Sequence, residues 1–181
     1  MSAGDRGLAA LLRSTGGGTL VGFALVLPGM LSLGFAIVDF SLVLLDFHRA
    51  SEATRRGARE AAIVEPVASL ASLPSGGIVT CSGGSEIACT GGAVVRTGSF
   101  QAVLGEMQAI HPGIGPANVV LEYRWSGIGD PASPGGILPL VTVRLRGMEH
   151  RLTLMRAVPG LPGSIAYPDF ATAQIGAGVK S

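Results

Sequence analysis

From Leu20 to Val38 the chain carries no charged side chain, and polar character is limited to Ser32 and scattered glycines. A helix in a soluble core normally keeps a polar face at helical spacing. This run has none. Nineteen helical residues at about 1.5 Å each span roughly 28 Å, close to the roughly 30 Å of a bilayer's hydrocarbon core. A removable secretory signal has a shorter apolar core with a small-residue cleavage site directly after it. Here DFSLVLLDFHRA, residues 39–50, carries the helix onward instead. The run therefore predicts a transmembrane helix. Pro28 has no N–H and opposes the carbonyl of Ala24, which predicts a kink or a loosened turn. Membrane helices tolerate such breaks where the freed carbonyl finds another donor. Gly22, Gly29 and Gly34 soften the same stretch.

Beyond Asp39 the helical period persists. Ala50, Ala53, Thr54, Gly57, Ala58 and Ala61 form a small-residue face, flanked by Arg49, Glu52, Arg55, Arg56, Arg59 and Glu60. Glu52 and Arg56 stand at the favourable i, i+4 spacing. One helix is expected from about residue 19 to residue 64, about 69 Å long, with Pro66 closing it. About half of it would project beyond the membrane. A face of small side chains on such a projection fits close contact with a sheet or a second helix.

After Pro66 the period shortens to that of strands. GGIVTCSGGSEIACTGGAVV predicts a hairpin with a glycine-rich tip. Ser99 is placed to cap a short helix over FQAVLGEMQAI, stopped by Pro112. ANVVLEYRWSG alternates as a strand, with Val120, Glu122 and Arg124 on one face and Val119, Leu121, Tyr123 and Trp125 on the other. ILPLVTVRLRGM predicts a second strand across the Gly/Pro-rich turn IGDPASPGG. Its Arg144 and Arg146 share the polar face, where Glu122 can pair with one of them. Tyr123 and Trp125 are expected in the sheet core, and Met148 and Met155 as packing residues. The expected fold class is α+β, one long amino-terminal helix with a small antiparallel sheet that packs on its outer half.

Composition sharpens this picture. Only 14% of the 181 residues are charged, against about 25% in soluble domains, which agrees with a membrane class. The net charge of +1 offers no field for nucleic acid. The arginines of HRASEATRRGARE have no interleaved aromatics for base stacking. Arg6 and Arg13 precede the apolar run and four arginines follow it, so charge alone slightly favours an inside carboxyl-terminal part. The cysteine pair and the turn-rich remainder favour an exported one. Cys81 and Cys89 bracket the hairpin tip. In an oxidising compartment they would close a short loop worth roughly 2–3 kcal/mol, whereas in the cytosol they would be two free thiols. His48, His111 and His150 are scattered and lack partners at metal-ligand spacing, so no metal site is expected and each reads as a surface or helix-end residue. No GxSxG, HExxH, P-loop or paired-carboxylate arrangement occurs. No catalytic residues and no cofactor are expected, and function is sought in assembly contacts.

GGGTLVGFALVLPGMLSLGFAIVDF, residues 16–40, resembles the amino-terminal segment of the TadE/TadG-like minor pilins, or pseudopilins, of the Tad (Flp-type, type IVb) pilus. Phe23, Ala24, Leu25, Val26, Leu27 and Pro28 match the family's motif residue for residue. Asp39-Phe40, the segment ATRRGAREAA and the late YPDFATA element resemble further parts of its pattern. The resemblance implies a pilin-like fold with a cytoplasmic leader over 1–17, a transmembrane helix over 18–45, an exported helical continuation over 46–65 and a periplasmic or extracellular β-rich domain over 66–181. It implies cutting by a prepilin peptidase after Gly17, leaving Gly18 first, or after Gly18. The family's glutamate falls on Gly22 here, so the carboxylate that would meet a neighbour's amino terminus is missing. That suits a subunit used once, at a tip or in a priming complex, or one that stays anchored. The implied role is a minor pilin that primes, caps or supports pilus assembly. The alternative is a permanently anchored periplasmic scaffold or binding module of the same secretion complex. The implied partners are other minor pilins of the TadE, TadF or TadG type, the assembly platform, the prepilin peptidase and membrane lipid. The implied location is the bacterial inner membrane, single-pass with the carboxyl-terminal domain in the periplasm, and incorporation into an extracellular pilus is a further state of the same reading.

Overall fold

A computed structural model describes residues 17–130, 136–155 and 163–177. Helix α1 extends continuously from Gly17 to Ile63 with Pro28 inside it, where the Ala24 carbonyl lacks the usual N–H donor. The expected bounds of 19 and 64 are met within two residues. Helix α2 covers Thr97–Ile110. The strands are β1 (Ile78–Ser82), β2 (Ala88–Thr90), β3 (Val119–Gly129), β4 (Ile137–Leu145), β5 (Glu149–Arg151), β6 (Ser164–Ala166) and β7 (Phe170–Ile175). Five of them form one antiparallel sheet in the order β2-β1-β3-β4-β7, while β5 and β6 pair separately. The α+β class holds: one long amino-terminal helix and a small antiparallel sheet.

The chain divides into two compact units. One joins the helix up to Ser41 to the segment Leu152–Gly163, and the other joins Leu42–Arg151 to the tail from Ser164.

In the larger unit, strand alternation decides what is buried. Val79, Tyr123 and Val141 stand in one cross-strand row, and Cys81, Leu121 and Val143 in the next. All six are buried. They join one cluster with Ala50, Ala53 and Ala58 of α1 and Phe100, Val103 and Met107 of α2. The small-residue face is thus spent inside the fold. Gly57 shows why it must be small: a Cβ there would come within 2.6 Å of Met107 Cγ and 2.7 Å of its Sδ.

Several expectations are corrected. Helix α2 begins at Thr97, so Ser99 lies inside its first turn; the cap position is Arg96, which makes no side-chain cap bond. Trp125 is 43% exposed while Tyr123 is buried, because β3 outruns the core and its register with β4 shifts after Trp125. Arg56 does not take Glu52. It reaches Glu106 of α2 at 3.1 Å, and Glu52 meets Arg55 at 3.9 Å instead. Met148 is buried and Met155 partly so. The turn around 131–135 lies outside the described residues.

We predict that Gly57→Val forces α1 and Met107 apart and costs about 1–3 kcal/mol, as overpacking does in tight cores. Thermal unfolding of the full chain in detergent measures it, and adding Met107→Ala should restore part of the loss.

Candidate membrane and assembly surface

The candidate surface is the first half of α1. An 18-residue window of this helix is apolar enough to cross a membrane and none of it is covered by the chain. A core helix of a soluble protein passes the same test of composition but is mostly buried, so exposure is the discriminating fact. Phe23 is 62% exposed, Leu25 77% and Leu33 65%. Ala24, Val26, Leu27 and Pro28 complete the motif on the same bare turns. Gly17 and Gly18 form the first helical residues, and a side chain at either, or at Gly22, would meet nothing within 4 Å. Residues 1–16, the greater part of the expected leader, lie outside the described residues. Next to Pro28, the Ser32 hydroxyl donates to the Pro28 carbonyl at 2.7 Å, a local bond of the kind that keeps polar groups satisfied in lipid.

Asp39 interrupts this exposed surface: its side chain is fully buried within the smaller unit, while Phe40 after it is exposed again. Its Oδ1 accepts from the amides of Thr153 and Leu154, each at 3.3 Å, and its Oδ2 from Leu154 at 3.0 Å and Met155 at 2.7 Å. Three successive N–H groups converging on one carboxylate form an anion-binding concavity of backbone dipoles. In the sequence Asp39 stands as the end of an uncharged run and, with Phe40, as part of the family resemblance. These three amides lie more than a hundred residues away along the chain, and as backbone groups they leave no side-chain pattern.

Further along α1, in the larger unit, the Tyr167 hydroxyl donates to the Val43 carbonyl at 3.1 Å. Phe47 meets Phe170 edge-on at 4.9 Å between ring centres. Burial first, and then the Asp46 carboxylate, push the Tyr167 hydroxyl up to about 12, so it stays protonated as a donor. His150 binds Asp46 through Nδ1. It is largely buried beside Tyr167 and is therefore neither a surface nor a helix-end residue, whereas His48 is exposed and His111 ends α2.

Cys81 and Cys89 sit opposite each other on β1 and β2 and are joined by a disulfide. On the outer face of the sheet Glu122 lies almost buried between Arg124 and Arg144, with Arg144 Nε at 3.2 Å. Arg146 pairs with Asp169 instead. Burial pushes the Glu122 carboxyl up, but the combined pull of Arg124 and Arg144 is stronger and leaves it below its ordinary value. Among the described residues no cluster of three or more histidine, cysteine or acidic side chains could hold a metal ion.

The geometry defines a class, a helix-led α+β protein with, among the described residues, one helix long and apolar enough to span a membrane. Residues 17–59 match the family model described as TadE-like protein, a family of Tad pilus components. The chain thus carries a TadE-like segment, which covers α1 except its last turn. No curated protein and no solved structure matches the chain.

A lowered carboxyl contributes stability above its unfolded value of about 4.5 and loses it as pH falls through the folded value. We therefore predict that Glu122→Gln costs about 1 kcal/mol near pH 7, modest because Arg124 is half exposed. The gap to the parent closes as pH drops below 4.5. Denaturant titrations at a series of pH values measure this.

Proposed function

We propose that this chain is a membrane-anchored minor pilin that primes, caps or supports assembly of a Tad pilus. The observation that carries the reading is the bare apolar half of α1, which lies within the TadE-like match. Surface of this kind and length, left without intrachain cover, is stable in lipid and against other apolar helices, and not in water. Storage in the inner membrane followed by transfer to a bundle of pilin helices uses one surface twice. On this reading the sheet domain is exported, where the Cys81–Cys89 bridge persists. It selects partners of the same minor-pilin type, while the helix meets the assembly platform and the prepilin peptidase. Function then resides in contacts rather than in turnover.

Gly22 supports a subunit used once rather than repeated along a fibre. A repeating subunit benefits from a carboxylate that neutralises its neighbour's buried amino terminus, because an unpaired buried charge is costly. With glycine at that position no such group is offered. The same feature supports the second reading, a scaffold that keeps its leader and remains anchored beside the pilus.

The mass of the protein purified from membranes of its own host separates the two. A chain starting at Gly18, or at Thr19 after a cut following Gly18, is expected for a processed pilin. A chain retaining residues 1–17 contradicts processing and favours the scaffold.

A further inference from the structure

The uncharged surface of α1 is longer than a bilayer needs. From Leu20 through Leu45 it contains one acid, Asp39, and would span about 39 Å, against a hydrocarbon core of about 30 Å. Sequence alone does not say which end is left over.

Asp39 decides it. A carboxylate in hydrocarbon is expensive, and so is a row of backbone amides that has left regular secondary structure. Here the two satisfy each other: the amides of Thr153, Leu154 and Met155 all donate to the Asp39 carboxylate. The segment that supplies them leaves strand and α-helix, bending at Thr153 and Leu154 and entering a 3-10 turn at Met155. Lipid-exposed irregular backbone does not occur within the hydrocarbon region. This pairing therefore belongs at or outside the hydrocarbon limit. Counting back from Asp39, Leu20–Val38 supplies about 28 Å, the length required. Counting forward, Phe40 to Leu45 covers about 9 Å, near the depth of the headgroup layer, before His48 and Arg49 enter water.

We propose that the hydrocarbon-contacting surface of this protein ends at Asp39, and that the Thr153–Met155 amides clasp that carboxylate at the membrane–water boundary as a depth stop. The surface's partner is the acyl-chain region of a phospholipid bilayer, over Leu20–Val38 alone. The stretch Phe40–Leu45 lies among headgroups, so the span is shorter than its apolar sequence by about two turns. This rests on the reading of α1 as a membrane anchor.

Thiol accessibility tests it on the full chain in phosphatidylcholine nanodiscs. The two native cysteines are bridged, so an introduced thiol reports alone. Ser32 and Ser41 are both exposed on α1, one on each side of Asp39. With a charged maleimide, Ser41→Cys should label at least about tenfold faster than Ser32→Cys, because water reaches the headgroup layer and not the core. Adding Asp39→Leu should bring the rate at position 41 down towards that at position 32, since the stop is gone. Adding Asp39→Asn, which keeps a carbonyl oxygen for the amides, should leave position 41 labelled. Equal protection of both sites in the Asp39 protein, or an unchanged rate at 41 with Asp39→Leu, overturns the depth stop while leaving the anchor intact. Rapid labelling at both sites contradicts the anchor itself, and the stop with it.

Discussion

Apolar surface that a chain leaves bare must be covered by something other than that chain. This constraint governs α1. Its first half presents Leu, Val, Phe and Met side chains with no intrachain cover. Its second half buries alanines against strands and a second helix. One helix thus changes its surroundings without changing its backbone. The change is written in side-chain size and charge: large and uncharged before Asp39, small on one face and charged on the others after Leu45. A continuous helix needs no loop at the crossing, and apart from the Ala24 carbonyl opposite Pro28 its backbone groups pair along the helix.

The folded domain depends on close approach at the second half. Ala50, Ala53, Gly57 and Ala58 let α2 and the inner face of the sheet come near, and Met107 fills the space that Gly57 leaves. The outer face of the sheet is handled differently. Glu122 is almost buried there. Arg124 and Arg144 put their charged heads on its carboxylate and supply the countercharge. The tail strand β7 completes the sheet beside β4, held at its end by the Gly176 and Ala177 amides, which donate to Pro139 and Ala62.

What the sequence reveals here follows the range of the interactions. Periodicity is local, so the long helix, its small-residue face, the hairpin around the cysteines and the paired strands β3 and β4 are all legible. The TadE-like segment is legible for the same reason, since it is a contiguous motif. Features set by distant partners are not. Arg56 has a suitable Glu52 one turn away, and only the docking of α2 reveals that it prefers Glu106. Trp125 alternates onto the core face, but the core ends before it. His150 looks solitary until Asp46 arrives from a helix about a hundred positions earlier. Asp39 is the extreme case. The amides of Thr153, Leu154 and Met155 donate to it, and main-chain groups, which any sequence supplies, are not announced by residue type.

The central claim is that Leu20–Val38 resides in lipid. Alkaline extraction of membranes from bacteria expressing the full chain tests it directly, because high pH strips peripheral proteins and leaves spanning helices in place. The protein should remain in the pellet and be released only by detergent. Recovery in the alkaline supernatant, or as a monomer in the cytosol without detergent, would contradict the account.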